Sequence, residues 1–337
     1  MKLTDSITDV PGIQVGHAQD EDALTGVTVI VCRGGAVAGV DQRGGAPGTR
    51  ETDLLHPLNL VERVHAILLA GGSAFGLDAA GGVMRYLEEQ KLGFDTGSAR
   101  VPIVPGAILF DLALGRADVR PGPEMGYRAA ASAAAGVSAQ GNVGAGTGAS
   151  VGKIFGMAGA MKSGLGMASL EIGGGVVVGA LVAVNAFGDV TDPRSGEIVA
   201  GARSTRVGPL RLGAPGYFAD TQETLRTLAG RTIMGLATRS NTVIGVVATN
   251  ARLTKPQAGK MAQMAQDGLA RAIRPAHTML DGDTIFALST GNKSANVSIV
   301  GAFAAEAFAR ACLNAVRSAA PAGGLPGLAD NKELPPA

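Results

Sequence analysis

The chain lacks tryptophan, and its 337 residues include only three tyrosines and two cysteines. Cys32 and Cys312 lie far apart and in no CxxC or Cys/His cluster. That excludes a disulfide scaffold and a structural zinc site, and it fits a reducing cytoplasm. A charge excess is missing as well: 29 basic and 28 acidic residues leave a formal charge of +1. Without the basic surplus that binding a phosphate backbone requires, the composition argues against nucleic acid as a partner.

Long apolar runs are also absent. The opening residues, MKLTDSITDVPGIQVGH, contain none, which predicts neither a signal peptide nor a membrane anchor. The longest apolar stretch, Ile172 to Gly188, is shorter than the ~18 residues of a membrane helix. It is broken by Gly173, Gly174, Gly175 and Gly179, so it reads as one or two buried strands.

What the chain does have is glycine and small apolar side chains. Glycine occurs 51 times, roughly twice its average usage, so many backbone segments must turn tightly or pass close together. The sequence is 46% hydrophobic and 17% charged. Such a chain buries a large core in one large domain or two.

Val27–Cys32 is a β-branched run that stops at Gly34-Gly35, and Ala66–Ala70 is a second that stops at Gly71-Gly72; both read as core strands. Leu77, Ala80, Val83, Met84 and Leu87 then recur at helical spacing, predicting an amphipathic helix that ends near Gly93. Ala129–Ala135 is Ala-rich and reads as helix, and residues 190–240 are the most loop-like before the tail. Thr242–Thr249 reads as a strand. A helix follows, with Thr254 and Gln257 at capping-box spacing, Pro256 in its first turn and an apolar stripe from Ala258 to Ile273. Asp281-Gly282 turns into the strand Thr284–Leu288, and Val297–Ser318 is the last helix. Strands alternating with helices, the strands apolar on both faces, predict a layered α/β architecture. Residues 1–320 read as one domain, and 321–337, with Pro321, Pro326, Pro335 and Pro336, as a disordered tail.

Most local motifs yield to plainer readings. Gly144-Ala145-Gly146-Thr147-Gly148-Ala149 satisfies the loose dinucleotide pattern, but no strand precedes it. Gly152-Lys153 resembles the end of a phosphate loop, yet Ile154 stands where Ser or Thr is required. Ser73 sits between a strand and a helix, as a nucleophile elbow does, but Gly76 falls one position late. His17, His56 and His65 are scattered, and His277 has no spaced partner, so neither a metal site nor a Ser-His pair is indicated. Asp281-Gly282-Asp283 lacks the oxygen alternation of a calcium loop because Ile285 interrupts it. Thr242, at a strand start, is unremarkable alone and gains meaning from its surroundings.

Six stretches taken together are more specific: Arg43–Leu55 (RGGAPGTRETDLL), Gly71–Ala80 (GGSAFGLDAA), Val101–Pro105 (VPIVP), Gly141–Lys153 (GNVGAGTGASVGK), Asn241–Asn250 (NTVIGVVATN) and His277–Leu288 (HTMLDGDTIFAL). In this order, across roughly residues 8 to 318, they resemble the self-processing aminopeptidases. That family includes the L-aminopeptidase/D-Ala-esterases, the β-peptidyl aminopeptidases and the nylon-oligomer endo-hydrolases. The resemblance implies an N-terminal nucleophile hydrolase with a four-layer αββα sandwich. It also implies a cut between Asn241 and Thr242, giving an α chain 1–241 and a β chain 242–337 that stay together, within a homo-oligomer that resemblance makes a tetramer.

Thr242 would then be the nucleophile. A hydroxyl reacts poorly until a base takes its proton, and a freed α-amine with a pKa of about 7.7 to 8.0 is a suitable base, so no histidine is needed. By resemblance, Lys153 matches the lysine near the nucleophile, Asn185 the oxyanion-stabilising asparagine, and Asp281 and Asp283 the pair behind the nucleophile. Two Asp with Thr is the nylon-hydrolase pattern; the aminopeptidase branch has Ser and Glu with a Ser nucleophile. Two departures stand out. No acid occurs from Val101 to Phe110, where the aminopeptidase branch has a glutamate for the substrate's ammonium, and Phe110 replaces a family tyrosine.

The sequence thus points to a self-cleaving amidohydrolase acting on small or linear amides, with ω-amino-acid oligomers a candidate substrate, through an acyl-Thr242 ester and without cofactor or metal. Three alternatives remain open: a strict aminopeptidase of the same family, an acyltransferase resembling ornithine acetyltransferase, and a nucleotide-binding module built on Gly144–Gly152.

Overall fold

The computed structural model describes residues 3–207, 210–214, 216–228, 230, 232 and 241–329. Its principal sheet has nine strands: β1 (Gln14–Asp20), β2 (Thr25–Gln42), β3 (Thr49–Arg50), β4 (Arg63–Ala70), β5 (Gly106–Ile108), β6 (Leu165–Glu171), β7 (Val177–Asn185), β8 (Thr242–Ala251) and β9 (Thr284–Lys293). Their order is β6-β7-β8-β9-β2-β4-β5-β3, with β1 added to β2. Four helices cover it: α1 (Ala79–Glu89), α2 (Pro123–Ala131), α3 (Lys255–Ala272) and α4 (Val297–Arg317).

The layering follows from period-two alternation within strands that are apolar on both faces. In β7 and β8, Val178, Ala180, Val182, Val184, Val243 and Val247 face α3 and α4. The intervening Leu181, Ala183, Ile244, Val246 and Ala248 face the opposite way, against Ile30, Ile67 and Leu69 of β2 and β4. Those strands present Val29, Val31, Ala66 and Leu68 on their outer side to α1 and α2. Three cores therefore alternate with helices, sheet, sheet and helices, which is the four-layer αββα sandwich. Each fully buried Leu, Ile or Phe in these cores contributes about 1.5–3 kcal/mol.

The run beginning at Val27 does not stop at Gly34-Gly35. β2 continues through them to Gln42, with its register against β4 shifting between Val31 and Ala36. Gly35 adopts a φ of +68°, which bends the strand without ending it. One end of β2 thus pairs with β1 and β4 while its other end pairs with β9. That bend lets one strand serve both layers.

Glycines 173–175, all at positive φ, make the turn between β6 and β7, so the long apolar stretch is mostly one strand entered from a hairpin. At α3 the Thr254 hydroxyl accepts from Gln257 N–H and the Gln257 side chain accepts from Thr254 N–H, the reciprocal cap read from the sequence. Helix α4 is long and apolar enough to cross a bilayer by composition, and most of its surface is buried against β6, β7 and α3.

Residues 321–329, expected in the disordered tail, are instead packed. Leu325 is buried, Ala329 N–H donates to Ala319 O at 3.0 Å, and Pro326 O accepts from Lys162 N–H at 2.8 Å. Proline-rich composition disfavours regular elements but not docking through carbonyls and apolar contacts. Residues 330–337 lie outside the described residues.

Candidate active site

Thr242 is the first residue of β8, a central strand paired antiparallel to β7 and parallel to β9. Its cross-strand partner is Asn185, the last residue of β7. By alternation, Thr242 shares the face of Ile244 and Val246, and Asn185 shares that of Leu181 and Ala183, so both belong to the inter-sheet side. Both are buried. Directly opposed residues have Cβ atoms about 4.5–5.5 Å apart, so strand register alone brings this hydroxyl beside this amide.

Asn185 is fixed from several directions. Its Oδ1 accepts from Lys153 Nζ at 2.6 Å and from Ser150 N–H at 3.1 Å, while its Nδ2 donates to Phe110 O at 2.9 Å. Two obligate donors on one side set which way the amide points. Lys153 Nζ donates also to the Asn185 carbonyl at 3.2 Å. The lysine reaches this point because Gly152 N–H and Lys153 N–H donate to Gly188 O and Phe187 O, just past β7. Gly152 sits at φ +71°, and a Cβ there would lie 1.9 Å from Ala202 N, so no other residue fits this approach.

Burial pushes the Lys153 ammonium down to about 7, against the opposing pull of Asp281 and Asp111. A lysine titrating there can exchange a proton near neutral pH. Burial also pushes Asp281 up to about 6, with Asp283 adding like-charge repulsion and the Thr278 donors pulling the other way.

The two aspartates bracket the start of β8 from the turn before β9. Asp283 accepts from Val243 N–H at 2.8 Å through Oδ1, and from His277 N–H at 3.0 Å and the His277 ring Nδ1 at 2.8 Å through Oδ2. Asp281 Oδ2 accepts from Thr278 N–H at 2.9 Å and Thr278 Oγ1 at 2.6 Å. Between them, Gly282 N–H donates to Asn241 O at 3.0 Å. Thr242 Oγ1 donates to the same carbonyl.

The five residues singled out from the sequence, Thr242, Lys153, Asn185, Asp281 and Asp283, therefore gather around one peptide bond, Asn241-Thr242. His277, dismissed for want of a spaced partner, has one: Asp283, six residues on, reached because His277 adopts a left-handed φ of 58°. Ser150 N–H, Phe110 O and Gly282 N–H were also missed. Each acts through its backbone, which carries no residue signature.

Other candidates fall away from this centre. Gly144–Gly146 is a single 3-10 turn packed on Thr28 and Leu165, with no helix opening after it to hold a pyrophosphate. Ser73 does occupy a left-handed turn, φ 56°, but no histidine, acid or lysine among the described residues bonds to its hydroxyl. A small cavity beside Lys153 is lined by Phe110, Asp111, Leu114, Ser150 and Met157.

Comparison with known proteins bears on the family and the fold. The profile of peptidase family S58 matches residues 5–329. An uncharacterized aminopeptidase of Mycobacterium tuberculosis is 47% identical over 346 residues, covering 95% of this chain and 96% of that one. A 6-aminohexanoate-oligomer endohydrolase of Kocuria sp. is 34% identical over 324 residues, covering 92% and 85%. Among solved structures, a β-aminopeptidase of Burkholderia sp. superposes with a TM-score of 0.66 at 25% identity, covering 97% of this chain and 91% of that one. The L-aminopeptidase D-Ala-esterase/amidase of Ochrobactrum anthropi, a variant of the Ntn hydrolase fold, gives 0.69 at 22% identity, covering 96% and 88%, a likeness of fold alone.

Proposed function

The chain belongs to peptidase family S58 and is a peptide-bond hydrolase, and we propose that it cuts itself between Asn241 and Thr242 and then hydrolyses linear amides through an acyl-Thr242 ester. The observation that carries this reading is the Thr242 hydroxyl on the Asn241 carbonyl, with Asn185 across the strand and Lys153 behind Asn185. In the first step the hydroxyl oxygen attacks the Asn241 carbonyl carbon. The C–N bond breaks, an ester forms, and the hydroxyl proton passes to the freed Thr242 nitrogen. One water then hydrolyses the ester, leaving an Asn241 carboxylate and a free hydroxyl beside a new α-amine. In turnover that amine serves as base, and Lys153, neutral in part at pH 7, assists.

Two observations favour internal amides of linear oligomers. The 6-aminohexanoate-oligomer endohydrolases share 33–34% identity with this chain, and Val101–Phe110 supplies no acid for a substrate ammonium. Asp111, the next acid, is buried and already accepts from Gly72 N–H at 2.7 Å and Thr25 Oγ1 at 2.7 Å. The second reading, a strict aminopeptidase, draws on the names of the mycobacterial relatives at 47% identity. The two cysteines are free and buried, which suits a cytoplasmic enzyme, here taken to be a homo-oligomer.

Intact mass spectrometry of the purified protein tests this. Scaling the 33.7 kDa chain by residue number gives fragments of about 24 and about 10 kDa. Thr242→Ala should remain one chain; normal cutting of that variant would remove Thr242 from the mechanism.

A further inference from the structure

We infer that the backbone N–H of Gly282 is the oxyanion donor of the self-cleavage step, an assignment that rests on the reading just given. Its observation is direct. The carbonyl oxygen of Asn241, the atom that must take on negative charge when Thr242 attacks, accepts the Gly282 N–H at 3.0 Å before any reaction. As the tetrahedral intermediate forms, the carbonyl becomes an alkoxide and this bond becomes charge-assisted. A donor already in place then stabilises the charge without reorganising.

The plain alternative is a ladder hydrogen bond. Asn241 and Asp281 form an isolated parallel bridge that prolongs the β8–β9 pairing. Three features set this bond apart from the rest of the ladder. Its acceptor also takes the Thr242 hydroxyl, so both the nucleophile and a fixed donor converge on one carbonyl. A side chain at residue 282 is excluded, since a Cβ would lie 2.9 Å from Thr242 Oγ1 and 2.7 Å from Ala46 O. The N–H is also held rigidly, because Ala46 N–H donates to Asp281 O at 2.8 Å and Arg43 N–H to Asp283 O at 3.0 Å.

The two carboxylates flanking Gly282 would oppose a neighbouring oxyanion. Both are engaged elsewhere, Asp281 by Thr278 and Asp283 by Val243 and His277. The junction also carries an unmatched group: Asn241 Oδ1 is buried with no partner among the described residues, and the cut frees Asn241 from the strand start that holds it there.

The test removes one hydrogen. Cell-free translation of the full chain with glycolic acid in place of Gly282 turns that amide into an ester, deleting the N–H and adding no side chain. Self-cleavage, followed by the appearance of two bands, should slow by about 100-fold relative to the unmodified chain. Lactic acid in place of Ala287, opposite Val247 in the same β8–β9 pairing, also deletes a strand N–H and should leave the rate near that of the unmodified chain. Cooperative thermal melting of both ester chains checks that each folds. An unchanged rate with the ester at 282, or equal slowing by both esters, overturns the assignment. An unmodified chain that never cuts overturns instead the self-processing reading beneath it.

Discussion

Asn185 and Thr242 face each other across β7 and β8, and Asn185 is at the same time bonded to Lys153. The lysine's bonding partner therefore stands beside the threonine, though the three residues come from three separate parts of the sequence. Sheet register brings Asn185 and Thr242 together, and the backbone bonds of Gly152 and Lys153 to Gly188 O and Phe187 O bring the lysine to them. A slip of one residue would turn Thr242 to the opposite face.

Asn185→Asp tests that link. The variant keeps the shape and the acceptor for Lys153 but loses the Nδ2 donor to Phe110 O and adds a negative charge beside the lysine. Processing or turnover should fall by about 10²-fold or more, with circular dichroism unchanged. Wild-type rates would reduce Asn185 to a packing role.

Lys153→Met and Asp283→Asn should each impair processing or turnover while the protein remains folded, because each removes one charge from a buried cluster and leaves its neighbours uncompensated. Single-turnover cleavage rates and size-exclusion profiles, measured on both, decide the matter. Full activity in both would leave these side chains as structural supports.

The pH dependence follows from the two buried lysines. Lys153 is pushed down to about 7, so its neutral fraction, and the rate it assists, should climb as pH rises through 7. Lys162 reports on stability. It is fully buried, donates to Gly146 O at 3.1 Å and Ala149 O at 3.0 Å, and also titrates at about 7 against an ordinary 10.5. Below pH 7 both folded and unfolded forms are protonated, and the burial penalty is present in full. Between 7 and 10.5 the unfolded form binds more protons, so stability rises with pH across that window. Calorimetry at pH 7, 8 and 9 should show that rise in the wild type and a flatter profile in Lys162→Met.

Substrate preference can be read with one pair of compounds. An N-acetylated linear oligomer and its free-amine form should be cleaved at comparable rates, since Val101–Phe110 holds no acid and Asp111 is already engaged. An ammonium entering without a fixed anion loses hydration for little return. Inactivity toward the acetylated form, with rapid release of single residues from the free one, would restore the strict aminopeptidase.

The layered fold was legible because its strands and helices announce themselves locally. Thr254 and Gln257 cap α3 as their spacing demands, and Val297 begins α4 where the apolar run begins. The course of β2 was not, because Gly34-Gly35 can end a strand or bend one, and the partners that decide are β4 and β9, far along the chain. The five site side chains were found through resemblance; their residue types alone would not have singled them out. His277 was set aside because a left-handed backbone folds it back onto Asp283, and no spacing rule anticipates that. Gly282 escaped because its contribution is an N–H that every residue but proline possesses.

The place of β8 and β9 in the sheet settles what a cut before Thr242 would leave behind. Residues 242–337 supply these two adjacent strands, hemmed in by β7 on one side and β2 on the other, both from the longer piece. The break would be a nick in the middle of a woven panel. The short fragment would be a wedge gripped along both edges, and pulling it out would tear the remaining panel into two sheets with two raw margins, on β7 and β2. Each fragment made alone would present unpaired strand edges to any neighbour, so the pieces can be expected to clump unless they are born joined.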